Sequence, residues 1–142
     1  MKIMIGYATK SGAARECAEL LRREFPEAQV FDLNKDAVNP DDFDVIIIGS
    51  GVRIGKLYKP VRKFLKDNHS ILLRKKVAYY VCNGEPDTAQ EIIDKNFPQD
   101  IIASAITIDS FGGYPPFAKG DAKTGIRTDS VMAFVQKVKQ AI

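Results

Sequence analysis

The stretch MKIMIGYATKSGAARECAELLRREFP, residues 1–26, decides the fold. Met1 to Tyr7 is an apolar run of strand length, and it stops at Ala8-Thr9-Lys10-Ser11-Gly12, small and polar residues that suit a turn. Apolar positions then recur at Ala14, Cys17, Ala18, Leu21 and Phe25, which is one face of a helix. Pro26 ends that helix, because proline has no N–H to donate and its ring clashes with the preceding turn.

The same alternation continues outward. Gln29 to Leu33 is a second short strand, and Asn39-Pro40-Asp41-Asp42 has the form of a capped helical turn. Val45 to Gly49 (VIIIG) is the most hydrophobic strand, followed by a glycine-bearing loop, Gly49 to Tyr58, and a helix from Pro60 to about Asn68. Val77 to Cys82 is the fourth strand. Asp87 and Gln90 form a plausible capping pair for a helix bearing Ala89, Ile92, Ile93 and Phe97, ended by Pro98. A fifth strand spans about Ser104 to Phe111. After a loop from Gly112 to Arg127, a last helix begins near Thr128 or Asp129 and aligns Val131, Val135, Val138 and Ile142.

Strands that are apolar throughout, alternating with helices, predict a parallel sheet covered on both faces, hence an α/β, three-layer, doubly wound domain. Its ligand is expected beyond the carboxyl ends of the strands. A chain of 142 residues is the length of one such domain, residues 1–142, and 45% hydrophobic with 27% charged residues is an ordinary globular composition. With no apolar run of membrane-spanning length and no signal-peptide pattern, a soluble cytoplasmic protein is expected.

Two cysteines, Cys17 and Cys82, and one histidine, His69, offer no metal-ligand spacing, so no metal is expected. Cys17 lies on the buried face of its helix as packing, and the setting of His69 reads as a helix-end turn. The net charge of +3 is unevenly placed: Val45 to Lys76 holds nine Lys or Arg against the single acid Asp67, which leaves −5 on the rest. Lys59, Arg62, Lys63 and Lys66 stand three and four apart on the polar side of their helix.

The loop Thr9, Lys10, Ser11, Gly12, Ala13 and Ala14 joins a strand to the first turn of a helix. Free backbone N–H groups and the positive end of the helix dipole meet there, and a phosphate satisfies both; Ser11 merely capping the helix is the alternative. Residues 51–57 are not a Walker loop, since position 50 is Ser and Leu57 replaces the magnesium-binding hydroxyl. One glycine in Thr9 to Ala14 excludes the dinucleotide fingerprint, so NAD and ATP are not expected as the main ligand. A receiver domain would need an acidic pair after strand one and an Asp after strand three, where this chain has Tyr7-Ala8-Thr9 and Gly49-Ser50-Gly51. Loop three, with Ser50, Gly51, Val52, Arg53, Ile54 and Gly55, suits close contact with a planar heterocycle. Asn83, Gly84 and Glu85 bring amide and backbone groups to the same edge, or form an ordinary Asn-Gly turn.

On YATKSGAARECAELL at 7–21, IIIGSGVRIGKLYKPVRKFL at 46–65 and GYP at 113–115, the chain resembles the flavodoxin-like family, in the branch that includes the menaquinone-dependent protoporphyrinogen oxidases. The resemblance implies a flavodoxin-like fold with a five-stranded parallel sheet of order 2-1-3-4-5 and one non-covalent FMN. It implies that Thr9 to Ala14 hold the FMN phosphate, that Ser50 to Gly55 and Asn83 to Glu85 flank the isoalloxazine, and that Gly112, Gly113 and Tyr114 close the site. It differs from electron-carrier flavodoxins in having no Trp, which leaves Tyr58 or Tyr114 to stack on the ring, and in its basic helix; its segment after strand five is shorter than in the porphyrin oxidases.

The expected function is that of an FMN-binding electron carrier or oxidoreductase, working between partner proteins or with a small quinone-like acceptor. The alternatives are an FMN-dependent dehydrogenase resting on anionic membrane through Lys59, Arg62, Lys63 and Lys66, and a flavin-free interaction module. Nucleic acid is not an expected partner.

Overall fold

The computed structural model describes residues 1–84, 86–113 and 125–142. Five parallel strands, β1 (Ile3–Ala8), β2 (Gln29–Asp32), β3 (Val45–Arg53), β5 (Lys76–Cys82) and β6 (Ile108–Ser110), lie in the order β2-β1-β3-β5-β6. This is the expected order, with one addition: β4 (Lys56–Leu57) pairs antiparallel with the end of β3. The helices are α1 (Ala13–Glu24), α2 (Lys59–Asp67), α3 (His69–Arg74), α4 (Ala89–Asn96), α5 (Gln99–Ser104) and α6 (Thr128–Ala141).

Side chains alternate across the sheet, so each central strand feeds two cores. Ile5, Val45, Ile47, Ala78 and Tyr80 pack with α1 and α6, while Met4, Ile46, Ile48, Val77 and Tyr79 pack with helices α2 to α5. Each fully buried Ile or Leu contributes roughly 1.5–3 kcal/mol over its exposed state. On the first face Tyr80 is central: its ring stacks on Phe111 at 4.8 Å, meets Phe134 edge-on, and its hydroxyl donates to the Ala14 carbonyl at 2.8 Å.

Four expectations are corrected. Residues 49–58 are not an open loop, because β3 runs on to Arg53 and turns back as a hairpin. Two short helices, α3 and α5, were not foreseen, and the fifth parallel strand is only Ile108–Ser110 because α5 takes residues up to Ser104. Asp87 and Gln90 do not form a capping box: Pro86–Thr88 is a single 3-10 turn, Thr88 is the N-cap of α4 without a side-chain cap, and Gln90 donates to Asp94. His69 starts α3 rather than ending a helix, and its ring meets Asp100 of α5 at 2.9 Å; that hydrogen bond holds the Asp100 carboxyl below its ordinary range. Hydrophobic spacing misses α3 and α5 because each has only 6 residues, under two turns, too short to show a period.

Tyr79 has the one buried side-chain polar atom that lacks a hydrogen-bond partner among the described residues, and burial pushes its hydroxyl pKa up. An unpaired buried hydroxyl carries a desolvation cost, so Tyr79→Phe is expected to stabilise the fold by about 1 kcal/mol, read as a higher urea midpoint at constant slope. A lower midpoint would mean that the hydroxyl has a partner.

Candidate functional site

The carboxyl ends of β1, β3, β5 and β6 bring the predicted loops to one edge of the sheet. Gly12 is the N-cap of α1 with φ +96°, in the left-handed region that glycine enters without steric cost, and α1 has no side-chain cap. The loop is held from inside. Thr9 Oγ1 accepts from the Gly12 amide at 2.9 Å, and Ser11 Oγ accepts from Ala13 at 3.4 Å, a long contact rather than a helix cap. Among the described residues no acceptor meets the amides of Ala14 and Arg15, and a Cβ on Gly12 would meet nothing within 4 Å. An uncapped helix start facing open space is therefore present where a phosphate was expected. Ala13 and Ala14 are buried, whereas Lys10 and Ser11 are exposed.

The second predicted segment forms the hairpin. Ser50 is buried; its hydroxyl donates to the Gly51 carbonyl at 2.7 Å and accepts from the Tyr58 amide at 3.0 Å, closing the hairpin at its base. The Ser50 hydroxyl is thus committed inside the hairpin. Gly51 leaves room for Tyr58, whose ring lies where a side chain would be: a Cβ on Gly51 would stand 2.6 Å from it. Val52 pairs with Leu57 and Arg53 with Lys56. At the tip Ile54 and Gly55 have φ of 51° and 72°, as a two-residue hairpin turn of the primed kind requires. Positive φ strains a β-branched residue by about 1–3 kcal/mol, and Ile54 is also 90% exposed. Asn96 of α4 pins the turn, donating to the Gly55 carbonyl at 2.9 Å and accepting from the Leu57 amide at 3.2 Å. Sequence reasoning did not find Asn96, since its partners lie 39 and 41 residues away.

The third and fourth segments meet each other. Asn83 is buried and donates to Thr88 at 2.9 Å, with Gly84 half-buried beside it. Gly113 lies against the backbone of Cys82 and Asn83, at 3.1–3.3 Å from where its Cβ would be. Gly112, at φ +71°, faces the Gly125 carbonyl and bridges to Ile126, so the chain returns beside the point where it left. Glu85 and Tyr114 lie outside the described residues.

Cys17 and Cys82, 65 positions apart, touch below this edge at 3.7 Å. The hydrogen bond with Cys17, then burial, push the Cys82 thiol well above its ordinary range, so it is no nucleophile. Among the described residues no group of three or more His, Cys, Asp or Glu is placed to hold a metal, and no helix is long and apolar enough to cross a membrane.

Beside the hairpin, on the β1 and β2 side of β3, lies a cavity of about 520 Å³. Ala8, Thr9 and Lys10 form one wall, Asn34 after β2 another, and Arg53, Ile54, the run from Lys56 to Pro60, and Arg62 the rest. Tyr58 stands in it with the Lys10 ammonium 5.4 Å from its ring centre. Of the four basic residues foreseen as a stripe on α2, Lys59 and Arg62 line this cavity and Lys63 pairs with Asp67 at 2.7 Å.

A family model described as a flavodoxin domain matches residues 4–117, a coarser assignment than the protoporphyrinogen oxidase branch named by the resemblance. Among solved structures the chain is similar to oxidised Flavodoxin 2 from Bacillus cereus, at 21% identity and a TM-score of 0.63 over 100% of both chains. It is similar to oxidised Flavodoxin 1 from the same organism, at 18% and 0.62, over 100% of this chain and 99% of that one. A flavoprotein in complex with FMN from Lactobacillus acidophilus matches at 18% and 0.61, over 77% of this chain and 92% of that one. The structural likeness shows the shared fold alone. No curated protein matches the sequence.

Proposed function

The chain belongs to the flavodoxin domain family, and on that footing we propose that it binds one FMN and passes electrons between partner proteins or to a small quinone-like acceptor. The observation that carries this reading is the uncapped start of α1 behind Gly12, with the Ala14 and Arg15 amides lacking acceptors and open space in front. A helix start of this kind fits a phosphate, as part of FMN, because its N–H groups and dipole both favour an anion.

Thr9 to Ala14 would hold the phosphate. The Thr9 hydroxyl, though it accepts from Gly12, keeps its own O–H to donate. The hairpin from Ser50 to Gly55, with Asn83 and Gly84, would flank the ring, with Gly112 and Gly113 at the far side. When bound, FMN supplies the electron chemistry; the chain supplies position, shielding from water and electrostatics. Tyr80 ties this edge to the core, since its hydroxyl holds the Ala14 carbonyl in the first turn of α1.

Arg53 and Lys56 face each other across the hairpin and carry positive charge beside the proposed ring site. Positive charge favours the electron-rich reduced flavin. Reversing both charges is therefore expected to lower the midpoint potential by roughly tens of millivolts, the scale of about 1 kcal/mol of Coulomb energy at a few ångströms in a wet setting. An unchanged or higher potential would place both side chains away from the ring.

The proposal itself is tested by an absorption spectrum of the purified protein and a titration of the stripped protein with FMN followed by flavin fluorescence. Two flavin bands, or stoichiometric quenching, are expected. A colourless protein that leaves the fluorescence of FMN and of FAD untouched would overturn it and leave an interaction module that kept the fold.

A further inference from the structure

We propose that the cavity beside the hairpin is a separate binding site for a small organic polyanion bearing phosphate or carboxylate groups, occupied together with the flavin. Five cations line it, Lys10, Arg53, Lys56, Lys59 and Arg62, with no Asp or Glu among the lining residues. None of the five pairs with a carboxylate among the described residues, whereas Lys63, Lys75, Lys95, Lys137 and Lys139 all do. Like charges gathered in a concave, partly apolar setting repel one another, and the field they focus into the cleft draws in an anion. Lys59 and Arg62 stand in the first turn of α2, which has no acidic residue there; this is the positive end of the helix dipole, where cations are disfavoured until an anion arrives.

The other walls indicate an organic anion rather than a bare ion. The Tyr58 ring, Leu57 and Pro60 offer apolar surface and Asn34 an amide, in a volume of about 520 Å³ that falls in the range of small-molecule sites. Arg62 and Arg53 supply the planar forks that match phosphate and carboxylate oxygens. Asn34, Lys59, Pro60 and Arg62 carry the cavity beyond the proposed flavin edge, whose Thr9, Lys10 and hairpin it borders. It opens among the loops after β1, β2 and β3, while Asn83, Gly84 and Gly113 follow β5 and β6 on the other side of β3. The two sites share Thr9, Lys10 and the hairpin, so a ligand in the cavity would sit next to the flavin, as an electron donor or acceptor must. A membrane face is disfavoured by the same geometry, because half of the α2 stripe turns into a bounded hollow and Lys63 is neutralised by Asp67.

The test is calorimetric titration of the FMN-saturated protein with inorganic pyrophosphate and, in parallel, with citrate; FMN loading is read separately by flavin fluorescence. One saturable site is expected for at least one probe, and the tighter probe tells phosphate from carboxylate. Arg62→Glu and Lys59→Glu should each weaken it by about tenfold or more, as loss of a charged hydrogen bond does, with FMN affinity unchanged. Lys66→Glu makes the same charge change on the same helix outside the cavity and should leave binding as it is. The proposal is overturned if neither probe saturates, or if the probe displaces FMN, which would make the cavity part of the flavin site. It is equally overturned if Lys66→Glu weakens binding as much as Arg62→Glu, or if phosphatidylglycerol vesicles bind with that same pattern, which would be a diffuse or membrane-facing charge. Should the protein take up no FMN, the same titration on the protein as purified still reads the cavity, so the two readings fail separately.

Discussion

Replacing Gly49 by alanine is expected to cost the fold about 3 kcal/mol or more. Gly49 lies mid-strand in β3, between β1 and β5, and a Cβ there would stand 1.9 Å from the Tyr80 ring, with two more ring atoms at 2.2 and 2.3 Å. The ring cannot give way. It is fully buried, stacked on Phe111, abutted by Phe134 and tied through its hydroxyl to Ala14. Overpacking a tight core costs up to about 3 kcal/mol and occasionally more, and this clash belongs at the top of that range. Domains hold only about 5–15 kcal/mol in all, so urea melts should show roughly a fifth to three-fifths of the stability gone. Tyr80→Val made together with Gly49→Ala should recover part of the loss, since the smaller side chain clears the space; a double mutant no better than the sum of its parts would show that the two positions do not meet. A Gly49→Ala protein within about 1 kcal/mol of the parent would mean that the ring is elsewhere.

Gly12→Asp should leave the fold standing and remove most of the FMN affinity. The position has open space before it, so the new side chain meets no neighbour and its cost is the strain of φ +96°. Its carboxylate, however, would lie where the phosphate is expected, taking the amide donors for itself and repelling a second anion. Losing one or two hydrogen bonds to a charged group, at about 1.5–3 kcal/mol each, predicts a dissociation constant raised by about 10- to 10⁴-fold. Gly12→Ala adds the backbone strain without the charge and should lose far less. If the two variants bind FMN equally poorly, backbone shape rather than charge governs the site. If both bind as the parent does, the phosphate is not at this loop.

How much of this site could be read from the sequence differs from loop to loop. The loop proposed for the phosphate is legible because its parts are adjacent: a strand end, a glycine at the helix start and two alanines small enough to be buried there. The glycines from Gly49 to Tyr58 predict a loop in close contact with a planar ligand, yet the structure uses them differently. Gly49 admits Tyr80, Gly51 admits Tyr58, and only Gly55 serves a turn. A glycine in a strand has the same letter whether it gives way to a ligand or to a neighbouring ring, and the ring that fills the space at Gly49 comes from the next strand of the sheet. Asn96 and Asn34 went unnoticed for the same reason, as nothing near them in the chain indicates the hairpin or the cavity.

Hydrophobic periodicity and proline or glycine breaks act within a few residues, so the layers, the parallel strands and the order in which elements alternate follow from the chain alone. So does the excess of positive charge in its middle. What that charge faces depends on how the elements pack: Lys59 and Arg62 line a hollow with Lys10, while Lys63 is tied to Asp67. Packing likewise brings Cys17 to Cys82, His69 to Asp100 and Asn96 to the hairpin. Such pairings depend on how sheet order and helix packing bring distant segments within a few ångströms, and hydrogen bonds, ring contacts and ion pairs act only at that range.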